Sequence, residues 1–294
     1  MPKISLTSVA NILAIGFNAL LIVVKLGVGI FFNSISLIAD GLDSVLDVVS
    51  AIIAGIGEKL SRKPPDKDHP FGHQKFQLIS SMIIVVTMVI SSYFIAEESI
   101  KRLIVQEEFN FELWILIAAI VSLVVKLGIS IALMKIGKKL HSTVFIANAK
   151  NYRTDAISSV FVIIAIIGAN YKVWWLDPAC AFIIVILILL TGFEITKMSL
   201  PDLVDKGPSE EVIEKLKTTA LSFPEVQEVH VIRLRSILGV CTGDFHILVD
   251  PELTILEAHA ISERVKETLE NDDCFKDLLI HIEPFIPEES LENN

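Results

Sequence analysis

Long apolar runs dominate the first two thirds of the chain and predict six helices, near residues 7–32, 35–58, 77–97, 112–134, 146–169 and 176–197. A helix needs roughly 20 predominantly apolar residues to cross the hydrocarbon core of a bilayer, and each run is of that order. The link between the first two is only Asn33 and Ser34, which predicts a tight helical hairpin. After Pro201 the pattern changes to short alternating and amphipathic stretches. Pro208-Ser209-Glu210-Glu211 opens a helix, with Ser209 as cap and acids in the first turn. Val212, Leu216 and Ala220 stripe that helix, and Phe223-Pro224 ends it. Val229, Val231 and Leu234 mark one strand, Phe245 to Val249 a second, and Leu278 to Ile282 a third, with an amphipathic helix from Leu256 to Leu269. The expected fold is a polytopic α-helical membrane protein of six spans with a C-terminal cytoplasmic α/β (αββαβ) domain. The expected boundaries are 1–200 for the membrane domain, 201–206 for a linker, 207–286 for the soluble domain and 287–294 for a disordered tail.

Composition agrees with this division: 52% of the 294 residues are hydrophobic and the mean hydropathy is +0.62. The first apolar run is too long for a cleavable signal and lacks a small-residue cleavage site. Lysine and arginine orient the spans. Lys59, Arg62, Lys63, Lys67 and Lys75 lie between spans two and three; Lys135, Lys138, Lys139 and Lys150 lie between four and five; Lys3 precedes the first. The opposite side has Lys101, Arg102 and Lys172 among Glu97, Glu98, Glu107, Glu108 and Glu112. Both termini are therefore expected in the cytoplasm, in a multi-pass protein of the plasma (inner) membrane. The net charge of −10 comes with no basic face and no Gly-rich phosphate loop, so neither nucleic acid nor nucleotide is an expected partner. The three cysteines, Cys180, Cys241 and Cys274, are widely spaced without a CxxC pair and read as ordinary thiols.

The informative residues are those that lipid should exclude. An ionisable group at a span centre costs about 2.5 to 3.5 kcal/mol on insertion scales. Asp40, Asp43 and Asp47 lie in the second span, and Asp43 and Asp47 share one helix face. Asn151 and Asp155 repeat that spacing in the fifth. Asp40 and Asn148 fit a hydrated helix end. Asp43, Asp47 and Asp155 do not, because clustered carboxylates in a low dielectric need a cation or protons beside them. The two segments echo one another, Ser34-Ile-Ser-Leu-Ile-Ala-Asp40 against Ser142-Thr-Val-Phe-Ile-Ala-Asn148, three spans apart. An odd offset implies copies running in opposite directions, as in transporters with a mid-membrane site. Lys25 is expected to snorkel to the interface; for Lys126 snorkelling and pairing with an acid are both open.

These features, with the loop Asp66-x-x-His69-Pro-Phe-Gly-His73 followed by Lys75 and the αββαβ tail, resemble the cation diffusion facilitators. Members of that family are metal/proton antiporters with six spans and a dimerising cytoplasmic domain. The resemblance implies that Asp43, Asp47, Asn151 and Asp155 form the transport site and that Asp66, His69 and His73 form a loop site. It also implies that His230, His246, His259, His281 and Glu283 form a site at the interface of a homodimer. Lys75 and Asp205 correspond to a charge pair tying the membrane part to the tail; His141 matches no ligand position. Zinc-moving members usually carry a His in the membrane site, whereas this set is all oxygen. It resembles the manganese-moving branch, so Mn²⁺ is the expected cargo, then Fe²⁺, then Zn²⁺, Co²⁺ or Cd²⁺. Zn²⁺ suits the tail histidines better. Protons are the expected counter-ion, and no enzyme chemistry is implied. Two other readings are open, an acid-filtered cation channel and a membrane-anchored metal sensor.

Overall fold

The computed structural model describes residues 6–106, 112–140 and 143–286. Lys3, Glu107, Glu108, His141, the side chains of Asn148, Lys139 and Asn151, and the tail 287–294 lie outside the described residues. The chain divides into two compact units, Met1–Lys59 with Ser80–Thr196, and Leu60–Ile79 with Lys197–Asn294.

Six long helices run through the first two thirds: α1 (Leu6–Phe31), α2 (Ile35–Ser61), α3 (Lys75–Val105), α4 (Leu113–Leu140), α5 (Thr143–Asn170) and α6 (Leu176–Leu203). Several outrun the apolar stretches that announce them. A backbone helix needs only its own hydrogen bonds, so charged residues such as Lys59 and Lys138 continue the same helix beyond the apolar run. Four of the described helices, α3 to α6, are long and apolar enough to cross a membrane; α2 carries three aspartates, and the described apolar part of α1 is Ala19–Phe31.

Small residues let these helices approach. Ala39, Ala118, Ala119 and Ala181 share a core with Leu37, Ile115, Val162, Ile166 and Ile184. The outward faces are as apolar as the core: Ile83, Val86, Ile90, Phe94, Val121 and Val124 are exposed. Water would not tolerate such a surface, and lipid would.

One end of α2 is anchored from two sides. Asn33 adopts φ 60°, a left-handed conformation that asparagine accepts more easily than most residues. Arg102 donates to the Asn33 carbonyl at 2.6 Å and to its Oδ1 at 2.7 Å. Asp177, in the first turn of α6, accepts the backbone N–H of Ile35 at 2.8 Å and of Ser36 at 3.2 Å. It also accepts the hydroxyls of Ser34 at 3.2 Å and Ser36 at 2.5 Å. A side chain from α6 thus caps the first turn of α2, meeting amides that the helix itself leaves unpaired.

In the second unit, α7 (Glu210–Leu221), β1 (Glu228–Ile237), β2 (Val240–Val249), α8 (Ile255–Glu270) and β3 (Phe275–Pro284) follow the expected αββαβ order. The sheet order is β1-β2-β3, with β1 antiparallel and β3 parallel to β2. Leu216, Phe245, Ile247, Val265 and Leu269 are buried between sheet and helices. Ser209 stands at the α7 cap position without making the side-chain bond expected of it, whereas Thr254 and Glu257 form a reciprocal capping box at α8. A bulge between His230 and Arg233 shifts the β1 register and leaves Val231 half exposed, although alternation would have buried it. The backbones meet so closely there that a Cβ on Gly243 would stand 2.0 Å from the Arg233 carbonyl oxygen, so only glycine fits. Cys241 and Cys274, distant in sequence, are adjacent in the fold: the Cys241 amide donates to the Cys274 carbonyl at 2.7 Å, and both are free thiols.

Candidate metal sites

The first candidate is a cavity lined by Asp43 and Asp47 of α2, Thr154, Asp155 and Ser158 of α5, Met88 of α3, and Leu187, Ile188 and Thr191 of α6. Three of the four residues expected here therefore meet. Each aspartate reaches the cavity because i and i+4 positions stack on one helix face. Ser158 hydrogen-bonds to Asp43. Ser158, Thr154 and Thr191 add hydroxyl oxygens that sequence reading did not assign, although Ser158 stands at the repeat position of Ser50. Among the described residues the donor set is oxygen throughout, apart from the Met88 thioether.

Two expectations nearby are overturned. Asp40 is not at a hydrated helix end and Lys25 does not snorkel. Both are fully enclosed, with Lys25 Nζ 2.8 Å from Asp40 Oδ2. Lys126 is enclosed too, and its Nζ lies 3.3 Å from Asp40 Oδ1. A charge this deep persists only with partners, and Ser159 Oγ adds another by donating to Asp40 Oδ2 at 3.1 Å. The missed signal was that a lysine in each of two spans and an unassigned aspartate in a third could satisfy one another.

The second candidate is the loop before α3. Asp66 Oδ1 accepts the amides of His69 at 2.7 Å and Asp68 at 3.0 Å, folding the loop on itself. The His69 amide bond is the main reason that the Asp66 carboxyl lies below the usual aspartate range. His69 Nδ1 and His73 Nε2 each approach an Asp66 oxygen at 3.3 Å, and one atom from each of the three residues lies within 4.8 Å of the others. His73 is buried against Phe76, and its Nδ1 has no hydrogen-bond partner among the described residues. Beside this loop Lys75 Nζ donates to Asp205 Oδ1 at 2.9 Å, with Arg235 at 3.6 Å. The Lys75 bond holds the Asp205 carboxyl below its ordinary value.

The third candidate lies on the sheet. His230, His246 and His281 are consecutive cross-strand partners on β1, β2 and β3, so they form a row. His246 is flanked by Phe245 and Ile247, which point into the helix-covered core, so the row lies on the opposite face. Glu283, two residues after His281, reaches the row. His246 Nδ1 donates to it at 2.8 Å and His230 Nε2 at 3.1 Å, while His281 Nε2 stands at 3.5 Å. Desolvation acts to raise the Glu283 carboxyl, but the His246 and His230 bonds outweigh it and hold the group below the ordinary glutamate value. His230, His246 and Glu283 offer donor atoms within 4.8 Å of one another. His259 sits exposed on α8, in the helical layer, and is not one of the residues whose donor atoms meet within the chain.

Residues 11–204 match the model of the cation efflux transmembrane domain, and residues 208–285 that of the cation efflux protein cytoplasmic domain. The chain belongs to the cation efflux family. Its relatives include an uncharacterized transporter of Methanocaldococcus jannaschii, 31% identical over 92% of this chain and 96% of the relative. The manganese efflux system protein MneP of Bacillus subtilis is 31% identical over 94% of this chain and 96% of its own length. The magnetosome protein MamM of Magnetospirillum gryphiswaldense is 31% identical over 85% and 79% respectively. The protein is thus a membrane protein of a divalent-metal efflux family, as the resemblance of its motifs implied.

Proposed function

We propose that this cation efflux protein exports Mn²⁺ in exchange for protons, working as a homodimer with both termini in the cytoplasm. The observation that carries this reading is the cavity in which Asp43, Asp47 and Asp155 converge with hydroxyl oxygens and, among the described residues, no imidazole. Hard oxygen donors suit Mn²⁺, and geometry and ligand type are the means of choosing it over ions of higher intrinsic affinity. Asn151, at the i−4 position to Asp155, is the fourth ligand in this assignment. Carboxylates confined together require compensating positive charge, so an arriving dication displaces protons and returning protons displace the dication. The similarity to a manganese efflux protein supports the choice of ion. Asp66, His69 and His73 form an accessory site at the cytoplasmic face. The His230, His246, His281 and Glu283 row holds a resident ion at the dimer interface, where imidazole favours Zn²⁺.

The test is transport into proteoliposomes of Mn²⁺, Fe²⁺, Zn²⁺ and Cd²⁺ in parallel, with and without a pH gradient. Mn²⁺ flux that rises with the gradient and is lost in Asp47→Ala and Asp155→Ala, both still folded and dimeric, is the expected result. Wild-type flux in either variant removes the assigned site. Flux as a current without proton movement makes the protein a channel.

A further inference from the structure

The most enclosed charges among the described residues lie beside the carboxylate cavity, not in it. Lys25 and Lys126 are both 0% exposed and face a single acid, Asp40, also 0% exposed. Their ammonium groups occupy its two oxygens, and Ser159 completes the shell. One unit of positive charge is therefore left over in a place that water does not screen. It sits next to the cavity. Asp40 precedes Asp43 by three residues on α2, and Lys126 Nζ donates to the backbone carbonyl of Asp155 at 2.9 Å.

We propose that Lys126 sets the charge of the transport site: with Lys25 it leaves one positive charge beyond what Asp40 neutralises, which offsets one carboxylate among Asp43, Asp47 and Asp155. The proposal rests on the assignment of those three as the transport site. With a dication bound, the three carboxylates and the buried network together carry no net formal charge. Without the surplus charge the loaded site is anionic and holds its ion too tightly to release it. Lys126 acts through the site and does not touch the ion, and its sign of action is distinctive. Loss of a merely structural residue weakens binding, whereas loss of an opposing charge strengthens it.

The experiment uses the full chain, with Lys126→Met, Lys126→Arg and Lys25→Met, measuring Mn²⁺ affinity in detergent and KM and kcat in proteoliposomes. Lys126→Met leaves Asp40 paired with Lys25 and Ser159, so the network stays satisfied. Its Mn²⁺ Kd and KM are expected to fall by about a hundredfold or more, the order set by a unit charge acting on a dication roughly 10 Å away at an effective dielectric of about 20. The kcat should fall with them, and Lys126→Arg should stay near wild type. Lys25→Met removes the same surplus while keeping the Lys126–Asp155 contact, and should shift affinity in the same direction. Unchanged or weaker Mn²⁺ binding in Lys126→Met overturns the proposal. If that variant does not fold, the same result in Lys25→Met overturns it. Asp155→Ala, run alongside, separates the two ideas: persisting transport there refutes the site itself, whatever the lysine variants do.

Discussion

The row on the sheet gives a prediction whose size follows from its geometry. Two imidazoles and a carboxylate already stand within 4.8 Å of one another, on strands whose register is fixed by the buried side chains behind them. Little reorganisation is needed to bind an ion, so binding should appear directly as stability. An ion at 100 times its Kd stabilises a folded domain by about 2.7 kcal/mol. For the fragment from residue 207 onward, with about 80 ordered residues, that corresponds to a Tm rise of roughly 10 to 20 °C. Removing two imidazoles in a His246→Ala, His281→Ala double variant should weaken binding by about a hundredfold or more, since each tenfold is about 1.4 kcal/mol, and the rise should nearly vanish. Zn²⁺ should outperform Mn²⁺. The assay is calorimetry of both fragments with each ion, with sedimentation to follow dimerisation. Equal Tm rises in the two fragments would refute the reasoning.

Two further outcomes are expected. Asn151→His replaces an amide with an imidazole and should raise the ratio of Zn²⁺ to Mn²⁺ flux in vesicles; an unchanged or lower ratio would place selectivity elsewhere. Asp177→Ala should lower the stability of the detergent-solubilised protein by about 3 kcal/mol, because buried amides of α2 lose a charged acceptor, and Asp177→Asn by about half as much; an unchanged melting curve would show that the cap contributes nothing.

The helices and the αββαβ order were legible because hydrophobic periodicity reports burial against lipid or core directly. Asp43, Asp47 and Asp155 were legible for a related reason: a charge inside an apolar run has no bland explanation. The Lys25–Asp40–Lys126 network was not, because each residue taken alone has an ordinary account in snorkelling or hydration. Only the packing of α1, α2 and α4 brings them within bonding distance. Asp177 was missed because a capping residue is normally sought just before its own helix, and this one comes from α6. His259 is a different case. The resemblance assigns it to an interface shared by two chains, and within one chain it stands exposed on α8. The β1 bulge that aligns His230 with His246 left no trace in the alternation of Val229 and Val231; Gly243 was its one signal.

The Asp177 cap turns α2 into a lever. Its first residues are tied to α6, so any tilt that keeps those bonds must pivot near Ile35. At 1.5 Å per residue, Asp43 lies about 12 Å and Asp47 about 18 Å from that pivot. A swing of about 10° would carry the two carboxylates roughly 2 and 3 Å. Metal–ligand distances hold to within about 0.2 Å, so a rotation that small would dismantle the coordination shell completely. Because displacement grows with distance from the pivot, Asp47 would part from the ion before Asp43, and unloading would have an order written into the position of one aspartate on a neighbouring helix.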